Sequence, residues 1–240
     1  MNTRAWKLDL LGADSRTLRL KVPAYRGVFD RQFATDQSMP EFVRRADVLL
    51  QEGQVLKNDR ISFVSRVLWN GHDAVIKRYN HRGLWHSLRH TIKGSRAQRN
   101  WWNAQRLVAL KIATPEPLAY VDEYRGPLLW RSYFVTRFVP APQVHKILRD
   151  ETIPESQKQR IHDQVLTLLR VMAEHGISHG DMKHTNILYD GTGIVLTDLD
   201  AMRIGGAGWL WRRRYQRDVE RYLRDLAGLR ITSTPSQGAQ

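Results

Sequence analysis

The sequence contains no cysteine, which excludes a disulfide framework, a thiolate metal site and a thiol nucleophile. It has no run approaching the ~18 consecutive apolar residues that suggest a membrane-spanning helix, and its first residues, MNTRAWKLDLLGADSRTLRL, lack the apolar core of a secretory signal. The expectation is a cytoplasmic protein. Acidic residues are scarce in one region above all. Between Asp73 and Glu116 there is none, while Lys77, Arg78, Arg82, Arg89, Lys93, Arg96, Arg99, Arg106 and Lys111 fall inside, interleaved with Trp85, Trp101 and Trp102. Over the whole chain 38 Lys and Arg against 24 Asp and Glu leave a net charge of +14. Such a surplus favours polyanionic partners, whether nucleic acid, anionic lipid head groups or phosphorylated glycans, although a charge run alone also describes a solvated basic face. The 240 residues suffice for one good-sized domain or two small lobes sharing a cleft.

Punctuation along the chain divides it. Ser38 as N-cap, Pro40 in the first turn and Glu41 three residues after the cap predict a short helix in SMPEFVRRADVLLQ. RISFVSRVLW and DAVIKRY flank Asn70-Gly71, the dipeptide of a two-residue hairpin turn, and predict two antiparallel strands. Trp101, Ala104 and Val108 recur at helical spacing between Ser95 and Leu110, and the two prolines of TPEPL end that helix. PLAYVDEY and RSYFVTRFV read as two more strands. In PESQKQRIHDQVLTLLRVMAEHG, Ile161, Val165, Leu168, Leu169 and Met172 share one face of a helix that stops at Gly176. The polar tail TSTPSQGAQ buries too little to order itself. A strand-rich half thus precedes a helix-rich one.

After the long helix comes ISHGDMKHTNILYDGTGIVLTDLD, with Asp181, Asn186 five residues on, and Asp198 and Asp200 beyond two short strands, Ile187 to Tyr189 and Ile194 to Thr197. Phosphoryl transfer from a nucleotide asks for a carboxylate to take the acceptor's proton, an amide and a second carboxylate to hold magnesium, and a lysine to steady the phosphates. Asp181, Asn186, Asp198 and Lys77 fit those roles. Lys183 suits a contact to the transferred phosphate, Asp200 an auxiliary place beside the metal, and His179 a packing role that positions the loop. The spacing of HGDMKHTN matches a kinase catalytic loop, with Gly180 where protein kinases usually carry Arg, and Lys77 ends VIK on the hairpin's second strand.

KRYN, ATPEPLA, HGDMKHTN and LTDLD together resemble the lipopolysaccharide core kinase (Kdo/WaaP) family of the protein-kinase-like superfamily, over roughly residues 55 to 230. The resemblance implies an α+β, protein-kinase-like two-lobe fold, with a small β-rich N-lobe (55–140) and a truncated helical C-lobe (141–230), the active site lying in the cleft; the residues outside it read as an N-terminal extension with a short helix (1–54) and a disordered tail (231–240). It implies ATP and Mg2+ as cofactors, a lipid-A-linked inner-core saccharide as acceptor, and work at the cytoplasmic face of the inner membrane, with no nucleic acid partner.

Two departures stand out. The acid-free stretch holds no helix glutamate to pair with Lys77, so Glu41, Asp47, Asn100, Asn103, Gln105 or Asp198 must serve. LKNDRISFV stands where a glycine-rich loop is expected, which hands the phosphate contacts to Lys57, Arg60 or Ser62. Only forty residues follow Asp200 and no A-P-E signature appears, which disfavours a docked peptide substrate. The segment IGGAGWLWRRRYQRDVERYLRDL sets two tryptophans beside Arg212, Arg213 and Arg214; these suit an anionic acceptor or membrane surface, or else an ordinary charged helix with its tryptophans in the core. HGD with a D-x-D ending also resembles aminoglycoside and choline kinases, a compact basic kinase could act on protein, and the missing glutamate and glycines fit a non-catalytic nucleotide- or membrane-binding module.

Overall fold

Asn70 and Gly71 take φ of 48° and 77°, the double positive-φ geometry of a type I′ turn whose twist matches the strands it joins. In a computed structural model, which describes residues 16–80 and 94–226, this turn lies in the first of two units, Met1–Gln105 with Glu116–Phe138; the second is Arg106–Pro115 with Val139–Gln240. Arg82, Trp85, Arg89 and Lys93 of the basic stretch, and the tail from residue 231, lie outside the described residues.

The first unit is built on strands β1 (Thr17–Val22), β2 (Tyr25–Asp30), β3 (Gln54–Asn58), β4 (Ser62–Trp69), β5 (His72–Tyr79), β6 (Pro117–Arg125) and β7 (Leu128–Arg137). They form one antiparallel seven-stranded sheet in the order β1-β2-β6-β7-β5-β4-β3. Helix α1 (Ser38–Glu52) buries Met39, Phe42, Ala46, Leu49 and Leu50; each of the larger side chains is worth ~1.5–3 kcal/mol, which fixes a helix of marginal length in isolation. The Ser65 hydroxyl donates to the Leu50 carbonyl at 2.7 Å. Phe42 stands edge-on to Phe29, Phe33 and Trp69 with ring centroids 5.5 to 5.6 Å apart, so α1, β2 and β4 share one aromatic core.

Three details differ from the sequence expectation. Ser38 is the first helical residue and not the cap. One turn earlier, Thr35 N–H donates to Ser38 Oγ at 2.9 Å and Ser38 N–H to Thr35 Oγ1 at 3.3 Å, so the reciprocal capping starts at Thr35. Strands β1 and β2 were not anticipated, although Leu18 and Leu20 alternate into the core as a half-buried strand requires. In helix α2 (Arg96–Ala109), capped by the Ser95 hydroxyl on Gln98 N–H at 2.8 Å, the buried row is Ala97, Asn100, Trp101, Ala104 and Leu107, while Val108 is 49% exposed.

The second unit contains α3 (Val144–Arg149), α4 (Glu155–Glu174), the two-stranded ribbon β8 (Ile187–Tyr189) and β9 (Ile194–Leu196), and α5 (Gly208–Leu226). Ile161, Val165, Leu169 and Met172 of α4 are buried and Leu168 is half-buried. The helix ends at Gly176, φ 63°, where a Cβ would stand 2.4 Å from the Gly206 carbonyl oxygen. The TPEPL junction binds the ribbon. Leu196 N–H donates to the Ala113 carbonyl and Thr114 Oγ1 to the Leu196 carbonyl, each at 2.9 Å.

Candidate active site

The ribbon brings the predicted amide and second carboxylate together. Ile187 pairs with Leu196, and the Thr197 N–H and hydroxyl both donate to the Asn186 carbonyl at 3.0 and 3.1 Å. Asn186, just before β8, is therefore tied to the residue preceding Asp198. Asp198 itself sits at φ 57°, ψ 62°, a left-handed conformation unusual for a side-chain-bearing residue and of the kind that gathers at functional sites. His179 closes the loop from beneath. Fully buried, it contacts the Thr197 carbonyl through Nε2 at 3.0 Å and accepts from Asp181 N–H through Nδ1 at 3.4 Å. That pattern assigns the proton to Nε2, and burial lowers the His179 pKa. It packs and positions, as its place in the sequence suggested.

Asp181 is the centre of the cluster. Lys183 Nζ lies 3.0 Å from Oδ2, the Asn186 amide donates to Oδ2 at 3.1 Å and to the Asp181 carbonyl at 2.9 Å, and the Arg221 guanidinium pairs with Oδ1. Partial burial alone would raise this carboxyl, but Lys183, Arg221 and Asn186 outweigh it and hold Asp181 below the usual carboxylate range. It is a charged acceptor at neutral pH.

Helix α5 supports the loop with one face. Asp218, buried, accepts Gly180 N–H at 2.8 Å, and Gly180 must be glycine: its φ is 82° and a Cβ would meet Ala201 Cβ at 2.7 Å. Tyr222, fully buried, joins His162 Nδ1 through its hydroxyl at 2.9 Å and His184 Nε2 through its carbonyl at 3.1 Å. Arg214 donates to the Ala201 carbonyl at 2.9 Å and to Ser178 Oγ at 3.3 Å. Consecutive helical residues point ~100° apart, so Arg212, Arg213 and Arg214 do not form one patch: Arg214 turns to the loop, while Arg212 and Arg213 are exposed. Trp209 is 69% and Leu210 61% exposed, and Trp211 stacks on Tyr215 at 5.4 Å. Arg214, Asp218 and Arg221, at i, i+4 and i+7, support the loop. Sequence reasoning named Arg214, but for an acceptor or membrane role, and missed Asp218 and Arg221, whose only signal was an alternation of acids and arginines along the segment.

The first unit holds the other predicted residues. Lys77 on β5 is half-buried, its ammonium 5.2 Å from the Tyr79 ring centroid. Of the partners considered for it, Asp47 binds Arg78 at 2.8 Å and Arg131 at 2.5 Å, and Glu41 faces Arg45 at 3.7 Å. In the β3–β4 turn Asp59 Oδ1 accepts Ile61 N–H at 2.8 Å and Ser62 N–H at 2.7 Å, and Lys57 Nζ lies 3.0 Å from Oδ2. The Lys57 ammonium and the Ser62 amide bring the Asp59 carboxyl down to about 2. Ser62 is buried and Arg60 exposed. Asp59 thus occupies the backbone donors that a glycine-rich loop offers to phosphate.

No group of three or more His, Asp or Glu able to hold a metal is found among the described residues. A nucleotide-bound Mg2+ needs none, because it takes one or two carboxylates and completes its octahedron with phosphates and water. Asn186 gives its NH2 to Asp181, which turns its amide oxygen elsewhere. That oxygen and the Asp198 carboxylate are donors of the type this ion takes, and Thr197 ties their backbones together.

A model described as the lipopolysaccharide kinase (Kdo/WaaP) family matches residues 47–237. No curated protein matches. Among solved structures 1528 chains match, a breadth that leaves function to the site and not the fold. One, described as "WaaP in complex with acyl carrier protein", is 17% identical, covering 85% of this chain and 80% of that one with a TM-score of 0.61. The likeness is one of fold, and that fold is protein-kinase-like.

Proposed function

The chain belongs to the lipopolysaccharide kinase (Kdo/WaaP) family, and from that premise we propose that it transfers the γ-phosphate of ATP to a sugar hydroxyl, of Kdo or heptose, in the lipid-A-linked inner core. The observation that carries this reading is the convergence of Lys183, Asn186 and Arg221 on Asp181, with Asp198 tied alongside through Thr197. Asp181 takes the acceptor's proton as the acceptor oxygen bonds to the γ-phosphorus and the bond from phosphorus to ADP breaks. Lys183 sets a positive charge beside the transferred group, and Lys77 steadies the remaining phosphates. Asn186 and Asp198 would hold Mg2+, which neutralises phosphate charge when bound. Of Lys57, Arg60 and Ser62, assigned here to the nucleotide phosphates, Arg60 and Lys57 are exposed, Lys57 being paired with Asp59, and Ser62 is buried.

The Asp59 turn favours a second reading, a non-catalytic nucleotide-binding module, since it fills the place of a phosphate cradle with a carboxylate. Labelled γ-phosphate supplied with Mg2+ to inner-core saccharide, an aminoglycoside and a generic protein separates the possibilities. Label in the saccharide alone supports the sugar kinase, label elsewhere moves the acceptor, and ATP binding without transfer supports the module.

We place the enzyme at the cytoplasmic face of the inner membrane, bound through the outer face of α5. No helix among the described residues is long and apolar enough to cross a membrane. Trp209 and Leu210 lie exposed beside Arg212, Arg213, Arg217 and Arg224, apolar and cationic groups that suit an anionic lipid surface, and the charge of +14 adds attraction. At ~1 kcal/mol per arginine near such a surface, Arg212→Ala with Arg213→Ala is expected to weaken binding to phosphatidylglycerol vesicles roughly thirtyfold. Binding that ignores both substitutions would remove α5 from this role.

A further inference from the structure

Every oxygen of the Asp181 carboxylate is engaged: Oδ2 by Lys183 at 3.0 Å and Asn186 at 3.1 Å, Oδ1 by Arg221. A general base needs an oxygen within ~2.6–3.2 Å of the hydroxyl it deprotonates. Lys183 and Asn186 belong to the same short loop as the base. Arg221 is different, because it reaches in from α5, 40 residues along the chain. Its helix is anchored on either side of it, through Asp218 on Gly180 N–H and the buried Tyr222, so leaving Asp181 asks only for side-chain rotation and no movement of the helix. The Arg221 side chain is 43% exposed against 26% for Asp181, which leaves the guanidinium reachable by an incoming group. Guanidinium forks bind carboxylate and phosphate alike through paired N–H donors.

We propose that Arg221 is a specificity-determining gate, which leaves Asp181 Oδ1 for an oxyanion on the acceptor, a sugar carboxylate or an existing phosphate, and so frees the base only when an anionic acceptor is in place. The inference rests on the proposed function and names what that site selects. A neutral sugar, or water, brings no partner for the guanidinium and leaves it paired with Oδ1, where its positive charge weakens the base. The same contact therefore restrains idle ATP hydrolysis.

The test compares wild type, Arg221→Ala and Arg221→Lys on three acceptors: the native inner-core saccharide, its carboxyl-reduced form and its dephosphorylated form. Wild type is expected to prefer the native acceptor by about tenfold to a hundredfold in kcat/KM, the worth of a charge-assisted hydrogen bond. Arg221→Ala should abolish that preference, mainly through KM, and raise ATP hydrolysis without acceptor, while Arg221→Lys restores part of the preference. The modified acceptor on which wild type loses its preference identifies the oxyanion. Equal loss of kcat on all three acceptors in Arg221→Ala would make Arg221 a mere positioning residue and overturn the gate, as would a wild type indifferent to acceptor charge. Transfer to no saccharide at all by wild type would instead overturn the proposed function on which the gate rests.

Discussion

Asp181→Asn is expected to lower phosphoryl transfer by about 10²- to 10⁴-fold, the range of a positioned general base, while ATP binding and thermal stability stay near wild type. The amide keeps the size of the carboxylate and an oxygen for Arg221 or Lys183, so the loop holds its shape. It loses the negative charge that those groups, with Asn186, stabilise and with it the capacity to take a proton. Asp198→Asn should also stop transfer but by a different route, loss of Mg2+-dependent ATP binding. Single-turnover transfer from labelled ATP, with ATP affinity measured with and without Mg2+, tells the two apart. Turnover near wild type in Asp181→Asn would remove that residue from its role.

The second large effect lies far from the chemistry in sequence, at Asp122 of β6. This carboxyl is buried, and Oδ1 has no hydrogen-bond partner. Burial pushes its pKa up to about 7, with the Ser95 hydroxyl and Arg26 only partly opposing. The unfolded chain releases that proton near ~3.9, so between pH ~4 and about 7 the folded state holds a proton that the unfolded state has lost. Stability must then fall as pH rises through this window, by about 4 kcal/mol in all at 1.36 kcal/mol per pH unit. Asp122→Asn removes the ionisation. It is expected to flatten the pH dependence and to melt on the order of 10 °C above wild type at pH 8, with little gain at pH 4. Parallel melting profiles for the two proteins from pH 4 to 8 would contradict the assignment.

What the sequence made legible was local. Asn70-Gly71 fixes a hairpin because its turn needs two positive φ values, and Ile161, Val165, Leu169 and Met172 recur with the period of the face they bury. Asp181, Asn186 and Asp198 were found because a loop, a strand and a turn bring them together within eighteen positions. Val108 was misplaced although a spacing of seven leaves it only ~20° from Trp101 around the helix: it stands in the last turn of α2, which ends at Ala109, and there it is 49% exposed while Leu107 is buried, so spacing alone did not decide burial. β1 escaped notice because a short alternation such as Leu18 and Leu20 carries little signal until β2 and β6 pair beside it. The contacts of Arg214, Asp218 and Arg221 were out of reach for another reason. A charged residue reads as surface in sequence, and only the packing of α5 against the loop shows which side chains turn inward.

The most direct test of the central claim is the identity of the product. Purified protein, Mg2+ and ATP are incubated with lipid-linked inner-core saccharide, and the saccharide is recovered for mass and phosphorus NMR analysis, with Asp181→Asn in parallel. The expected result is a single added phosphoryl group on a Kdo or heptose hydroxyl, absent with the variant. An unmodified saccharide, with ATP bound and left intact or its phosphate found on protein, would contradict the assignment of this chain as a sugar kinase of the inner core.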